Sequence, residues 1–383
     1  MSQQTIYLDH AAATPIDAGV LKAMEPYLQT NFYNPSAGYA AAIEVRKALD
    51  GARKQIAHWL GTRSNEIIFT AGGTEANNMA IHGVMSQFPD GNVVVSSIEH
   101  ESVLAPAHRY DCREVAVKLD GRVNLDDLRS KVDDKTVLVS IMYANNEIGT
   151  IQPLREISKV IAEKRAIRTH SSLLTPHPLF FHTDACQAAN YLDLHMSGLG
   201  VDMMTLNAGK IYGPKQTGVL AIKAGIKLVP LVDGGGQERG LRSGTENVAG
   251  AIGMAAALAI AQTMRHEEVG RLHSLQQQFF SMVEQAIPEV TITGSTNYRL
   301  PNNVHFTIAG QDNERLLIQL DEAGILAAAG SACSASSDEP SHVLRALGLT
   351  DSTARSSLRF TLGRMTSVDM IERCVAVLKD SCK

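Results

Sequence analysis

Six short apolar runs set the limits on how this chain can fold: Ile67 to Phe69, Val93 to Val95, Val137 to Ile141, Phe180 to His182, Met203 to Leu206 and Val219 to Ile222. They are rich in β-branched residues, and the segments between them are long enough to hold helices. That alternation predicts an α/β fold whose central sheet is mostly parallel and clad by helices. One such helix is legible from Ala40 to Leu60, where Val45, Leu49, Ala52, Ile56 and Leu60 recur at helical spacing and Arg46, Lys47, Asp50 and Arg53 take the opposite side.

In sheets of this kind ligands gather outside the carboxyl ends of the strands. Polar clusters stand at those places: "TAGGTEANN", "SSIEHES", "YANNEIGT", "HTDACQ" and "LNAGKIYGP" follow or end the first five runs. One pocket can collect them all. The C-terminal part changes character, with "VTIT", "NNVHFTIAG" and "SSLRFTLG" as strand candidates among helices at Asn313 to Glu322, Ser341 to Leu347 and Ser367 to Leu378. Thr366 or Ser367, followed by Asp369, is a fair helix start. This reads as a smaller α/β domain, and a chain of 383 residues with 44% hydrophobic composition has the length and core for two domains. The limits expected are 16–262 for the large domain, and 1–15 with 263–383 for the small one. Between Arg165 and Phe181, Ser, Thr and Pro punctuation suggests a surface excursion.

The net charge is −5, with no block of like charge long enough to track a phosphate backbone, so nucleic acid is not an expected partner. The start, "MSQQTIYLDH", lacks the pattern of a secretory signal. The apolar stretch from Val248 to Ala261 falls short of the roughly 20 residues of a membrane span, and no membrane segment is expected. Five widely spaced cysteines, Cys112, Cys186, Cys333, Cys374 and Cys382, form no CxxC pair. Neither a disulfide framework nor a metal site is expected, and a reducing cytoplasm fits best.

Several residues carry chemistry. Gly72-Gly73 after a strand, then Thr74 at a helix start, present open N–H groups and a hydroxyl suited to a phosphate, although an ordinary capped helix is the plainer reading of that segment alone. Asp184, with Gln187 three residues on, needs a cationic or N–H partner: a protonated pyridine nitrogen is one, a helix cap another. Lys210 lies four residues past a strand, where a lysine in a pocket can form a Schiff base with an aldehyde cofactor. Lys215 is the weaker candidate, since it follows the Gly213-Pro214 turn. His100 can stack on a flat ring and move protons near neutral pH. Arg359, in a strand of the small domain, can grip a carboxylate bidentately, an internal Asp or Glu being the alternative partner. Cys333 stands in "GSACSASS", where nothing bulky would pin it into a core.

Taken in this order, "IYLDHAAATP", "NPSAGY", "EIIFTAGGTEANNMAI", "EHESVL", "VSIMYANNEIGTIQPL", "HTDACQ", "KIYGPKQTG", "GGGQERGLRSGTEN", "GSACSASSDEPSHVLRALGL" and "SSLRFTLGR" resemble, almost end to end, the cysteine desulfurases of the IscS/NifS type. These are fold-type I enzymes dependent on pyridoxal 5′-phosphate. The resemblance implies that Lys210 holds the cofactor covalently, that Asp184 pairs with its ring nitrogen and Gln187 reaches its ring hydroxyl, and that His100 stacks on the ring and shuttles protons. It assigns phosphate contacts to Gly73, Thr74 and Asn207, and, from the other subunit of a homodimer, to Thr245. Asn146 lies against cofactor and substrate, and with Arg359 holds the carboxylate of L-cysteine. Cys333, on a mobile loop at about 328–340, takes the sulfur as a persulfide, releases alanine, and passes the sulfur to a protein acceptor or iron–sulfur scaffold. The pattern departs from the family's usual Ser-X-His-Lys at Asn207-Ala208-Gly209-Lys210, which alters two phosphate contacts. The 165–181 excursion is longer than the resemblance implies, and the chain ends at Lys383 without the extended tail of many relatives. A related lyase acting on selenocysteine, another transferase of this fold and a cofactor-poor binding paralogue are the rival expectations.

Overall fold

The computed structural model describes residues 5–170, 177–330 and 339–383. A short strand, β1 (Ile6–Tyr7), leads into two helices, α1 (Ala18–Gln29) and α2 (Ala40–Leu60). The second has the limits its periodicity predicts, with Val45, Leu49, Ala52, Ile56 and Leu60 buried. It ends at Gly61, whose φ of 62° suits glycine and whose missing Cβ leaves room for the His195 ring; a built Cβ would stand 2.1 Å from Nε2.

Seven strands then build the main sheet: β2 (Ile67–Thr70), β3 (Asn92–Ser96), β4 (Asp111–Val115), β5 (Thr136–Ser140), β6 (Phe180–Asp184), β7 (Met203–Asn207) and β8 (Gly218–Ile222), in the order β2-β8-β7-β6-β5-β3-β4. The pairs β3–β4, β3–β5, β5–β6 and β6–β7 are parallel, while β8 runs antiparallel to both its neighbours. The helices between them are α3 (Gly73–Met85), α4 (Glu101–Ala107), α5 (Leu125–Lys131), α6 (Leu154–His170) and α7 (Met196–Leu199). Because side chains alternate across a strand, each strand feeds two cores: Val94, Val219 and Ala221 enter one, Val93, Val95 and Leu220 the other. The excursion expected from Arg165 is shorter than the sequence suggested, since residues 165–170 continue α6; residues 171–176 lie outside the described residues.

α8 (Val248–Ala286) is a single helix of 39 residues. Its first half places Met254 and Leu258 in the core under the main sheet, and its second half places Leu272, Leu275 and Phe279 in a separate one. By length and composition it could cross a membrane, yet 61% of its most apolar window is buried inside the protein. The second core is closed by β9 (Val290–Ile292), β10 (Asn303–Ile308), α9 (Asn313–Glu322), β11 (Ile325–Leu326), β12 (Ser357–Thr361) and α12 (Val368–Ser381), while α10 (His342–Ala346) and α11 (Asp351–Ala354) join a small core of their own with Ile98, Met142 and Ile148. Here β12-β10-β9 form an antiparallel sheet, and β1 pairs in parallel with β11. Ser367 caps α12 by accepting the Met370 N–H. The N-terminal segment thus joins the C-terminal half, then runs on toward the ends of β6 and β7.

Candidate active site

At those strand ends nine of the expected residues line one cavity: Gly73, Thr74, His100, Asn146, Asp184, Gln187, Asn207, Lys210 and Arg359. Thr245 does not; it is exposed on the loop before α8. Cys333, and the loop expected around it, fall largely outside the described residues. Lys215 is exposed and away from the cavity.

Asp184 ends β6, where parallel strands release their last side chain into the crevice. Its Oδ2 accepts from Asn77 Nδ2 at 2.7 Å and its Oδ1 from the Cys186 N–H at 2.9 Å. It is 8% exposed, and among the described residues it has no ion-pair partner within 4.0 Å. A buried carboxylate so placed is a ready complement for a protonated ring nitrogen. Lys210 closes the 3₁₀ turn after β7, and its ammonium donates to the Ala11 and Ala12 carbonyls at 2.9 and 2.6 Å. Gln187 Nε2 donates to the same Ala11 carbonyl at 3.0 Å.

The N-terminus of α3 faces this group. A Cβ on Gly73 would meet Cys186 Sγ at 2.8 Å and the Asn207 amide nitrogen at 3.5 Å, so the bare Gly73 backbone is what lets the helix end approach β6 and β7. Asn207 Oδ1 accepts the Gly209 N–H at 3.0 Å, which leaves its amide nitrogen turned toward the helix end as a donor for an anion. The loop before α3 is fastened by Glu75, which accepts from Ala71 N–H and pairs with Arg242 at 2.9 Å.

His100 caps α4. Its Nδ1 accepts the Ser102 N–H at 3.0 Å and lies 2.9 Å from Ser102 Oγ, whose own lone pair is taken by Asn77 Nδ2 at 2.8 Å. The hydroxyl proton therefore points at Nδ1, and a neutral His100 carries its proton on Nε2. Arg359, 1% exposed, donates to Asp9 Oδ1 at 2.7 Å and to the Asn146 carbonyl at 3.0 Å. The internal carboxylate foreseen as an alternative partner is thus present, at the edge of the same cavity. Cys186 also lines the cavity, and burial, then the nearby Asp184 charge, push its thiol far above the ordinary range.

Sequence reasoning missed Asp9, Asn77, Ser102 and Cys186 as site-building residues, although all four stand inside motifs that it quoted. Ala11 and Ala12 act through backbone carbonyls, which leave no side-chain signal. Among the described residues no group of three His, Cys, Asp or Glu is arranged to hold a metal.

Residues 6–373 match the family model described as aminotransferase class-V. A curated relative from Dictyoglomus turgidum, named cysteine desulfurase IscS, is 41% identical over 391 aligned positions, covering 98% of this chain and 96% of its own. The cysteine desulfurase IscS of Methanosarcina thermophila is 38% identical, covering 98% of this chain and 92% of its own. Among solved structures, a NifS-like protein superposes with a TM-score of 0.90 at 29% identity over 98% of this chain and 99% of its own. The structure titled SspA in complex with cysteine gives 0.78 at 33% identity, over 94% and 99%.

Proposed function

We propose that this chain, which belongs to the class-V aminotransferase family, is a cysteine desulfurase that uses pyridoxal 5′-phosphate to take sulfur from L-cysteine. The observation that supports this reading best is the convergence of nine motif residues from both halves of the chain on one cavity. The cavity suits the cofactor: a buried carboxylate for the ring nitrogen, a lysine within the same wall, and a helix N-terminus with the Asn207 amide for the phosphate. Gly209 contributes only backbone, so the phosphate is held by Gly73, Thr74 and Asn207, with Thr245 supplied by a second copy.

When bound, the cofactor supplies an electron sink for charge that develops at the substrate Cα. The remaining steps belong to the chain. Arg359 grips the substrate carboxylate, its fork held in orientation by Asp9 and the Asn146 carbonyl. Lys210 removes and returns the Cα proton, Asp184 keeps the ring nitrogen protonated, and His100 moves a proton through Nε2. The Cys333 thiolate attacks the substrate sulfur. The substrate Cβ–S bond breaks, an S–S bond forms on Cys333, and L-alanine leaves, so that L-cysteine and a thiol become L-alanine and a persulfide.

The described residues that flank the Cys333 segment are fastened at the cavity. Ala328 exchanges backbone hydrogen bonds with Arg359 at 3.2 and 2.7 Å. Five residues of extended chain from there reach at most about 18 Å. Beyond the segment, Ser341 Oγ donates to Glu147 at 2.6 Å and His342 Nε2 to the Glu99 carbonyl at 2.9 Å, beside Asn146 and His100 respectively. Val343 and Leu344 pack on Ile98, Met142 and Ile148 behind them.

The same reading takes the chain as a homodimer of two-domain subunits, divided at 16–262 and at 1–15 with 263–383. Exposed apolar side chains concentrate in residues 16–39 and 229–232, among them Leu28, Phe32, Tyr39 and Val232. A hollow of about 650 Å³ between α2 and residues 235–246 opens beside Thr245. Cys112, Cys186, Cys374 and Cys382 are free thiols, in keeping with a reducing cytoplasm, and the persulfide passes to a protein acceptor such as an iron–sulfur scaffold. Purified protein loaded with pyridoxal phosphate is expected to release alanine and sulfide in equal amounts from L-cysteine and a thiol reductant. Absence of alanine would overturn the reading; turnover of selenocysteine alone, independent of Cys333, would favour the lyase.

A further inference from the structure

The hydrogen bonds behind the cavity form an unbroken line from Asp184 to His100. Asn77 Nδ2 donates to Asp184 Oδ2 at 2.7 Å and to Ser102 Oγ at 2.8 Å, and Ser102 Oγ lies 2.9 Å from His100 Nδ1. An amide nitrogen has two hydrogens, and both are used. The amide cannot be reversed, because its oxygen would then face a carboxylate. With that orientation Ser102 Oγ is an acceptor from Asn77, and its proton is directed at Nδ1.

We propose that Asn77 and Ser102 are positioning residues which couple the Asp184 carboxylate to the orientation of His100, whose tautomer the Ser102 backbone N–H sets by donating to Nδ1. This rests on the reading above, in which Asp184 and His100 serve the same reaction. Two observations separate it from ordinary packing. Asn77 is 0% exposed and its Oδ1 has no partner among the described residues, so the side chain sits where only its donors are satisfied. An apolar residue of that size would fill the space without leaving a buried oxygen unpaired. The line also crosses three elements, from Asp184 at the end of β6 through α3 to the first turn of α4, so it links a strand end to the His100 cap of a helix.

The expected behaviour is coupling. The carboxylate fixes which way the Asn77 amide faces, so that its second hydrogen is directed at Ser102 Oγ and the serine proton at Nδ1. His100 then keeps Nε2 as its protonated nitrogen. Loss of either relay member removes the directed hydroxyl bond and leaves the Ser102 backbone N–H, which donates to Nδ1 at 3.0 Å, to orient the imidazole less firmly.

A double-mutant cycle on the cofactor-loaded protein tests this. The reaction followed is exchange of the Cα hydrogen of L-alanine with heavy water, which reads proton transfer without any contribution from Cys333. Ser102→Ala and Asn77→Ala are each expected to slow exchange about tenfold, and the double variant about tenfold as well, because the second change removes a link already broken. Ser102→Thr, which keeps the hydroxyl, is expected to stay within about twofold of the parent. Asn77→Ala should also shift the pH midpoint of the bound cofactor's visible absorption, since it removes a donor to Asp184, whereas Ser102→Ala should leave that midpoint unchanged. A double variant slowed about a hundredfold, the product of the single effects, overturns the relay, as does a Ser102→Thr variant no faster than Ser102→Ala. Should Asn77→Ala not fold, the Ser102 pair decides alone. A parent protein that exchanges no Cα hydrogen and makes no alanine from cysteine points instead to failure of the functional reading.

Discussion

Asp9 and Arg359 stand 350 positions apart in the chain and 2.7 Å apart in the fold. A guanidinium 1% exposed needs compensation, and Asp9, itself 17% exposed, provides the anion. The guanidinium is oriented by both terminal nitrogens, one donating to Asp9 and one to the Asn146 carbonyl, while its buried Nε has no partner among the described residues; the proposed function gives its remaining N–H groups to the substrate carboxylate. Asp9→Ala is therefore expected to lower the unfolding free energy by about 3 kcal/mol in urea titrations and to raise KM for L-cysteine. A change under about 0.5 kcal/mol with unaltered KM would show that Arg359 is held otherwise. Arg359→Lys, which keeps the charge but loses the fork, should raise KM while leaving the protein folded.

The N-terminus of α3 is an element whose approach depends on one missing side chain. Gly73→Ala places a methyl 2.8 Å from Cys186 Sγ, so the helix end must retreat from Asn207 and Asp184. Cofactor affinity, measured by fluorescence titration of the apoprotein, is expected to fall about tenfold or more, and Gly73→Ala with Cys186→Ala to recover most of it. Equal affinities in the single and double variants would count against the steric account. Elements such as these were largely legible in the sequence. The six apolar runs became six strands of the main sheet, because strands buried on both faces are apolar throughout, as even β2 is at one edge of the sheet. The seventh, β4, escaped notice: "DCREV" carries charge because this strand is at the other edge and is largely uncovered, with only Val115 fully buried. His100, Asp184, Lys210 and Arg359 were found from their motifs and from the resemblance these carry, whereas Cys186, which lines the same cavity, was not. Asp9 and Asn77 were not, since what they do is defined by partners 350 and 107 positions away.

At the scale of the whole molecule, buried groups of opposite kind set the pH at which the fold is strongest. Burial holds His10 and His182 down to about 4 and His305, with the Arg299 and Arg359 charges added, to about 3. The unfolded chain takes up these protons near 6.5 while the folded one does not, so stability falls as pH drops below that value. Glu99 behaves oppositely: burial pushes it up to about 8 despite hydrogen bonds from Ser96 and Met142. Folded Glu99 keeps a proton that the unfolded chain releases near 4.5, so its contribution is lost as pH rises toward 8. Below 6.5 the three histidines outweigh the one acid. Stability is expected to peak at about pH 6.5–7 and to decline by about 1–2 kcal/mol toward pH 8, a decline that Glu99→Gln removes. Thermal unfolding across that range checks it, and an undiminished decline in Glu99→Gln would assign the effect elsewhere. At this scale the proposed function needs Cys333 at the cavity, and the described residues on either side of its segment are fastened to both halves of the molecule, Ala328 to Arg359 and Ser341 to Glu147. Mass mapping of cofactor-loaded protein after one addition of L-cysteine, without reductant, puts that to the question. The peptide holding Cys333 should carry one additional sulfur atom, with an equal amount of alanine in solution and the Cys186 peptide unchanged. Alanine formed at full rate by Cys333→Ala, or extra sulfur found only on another cysteine, would contradict it.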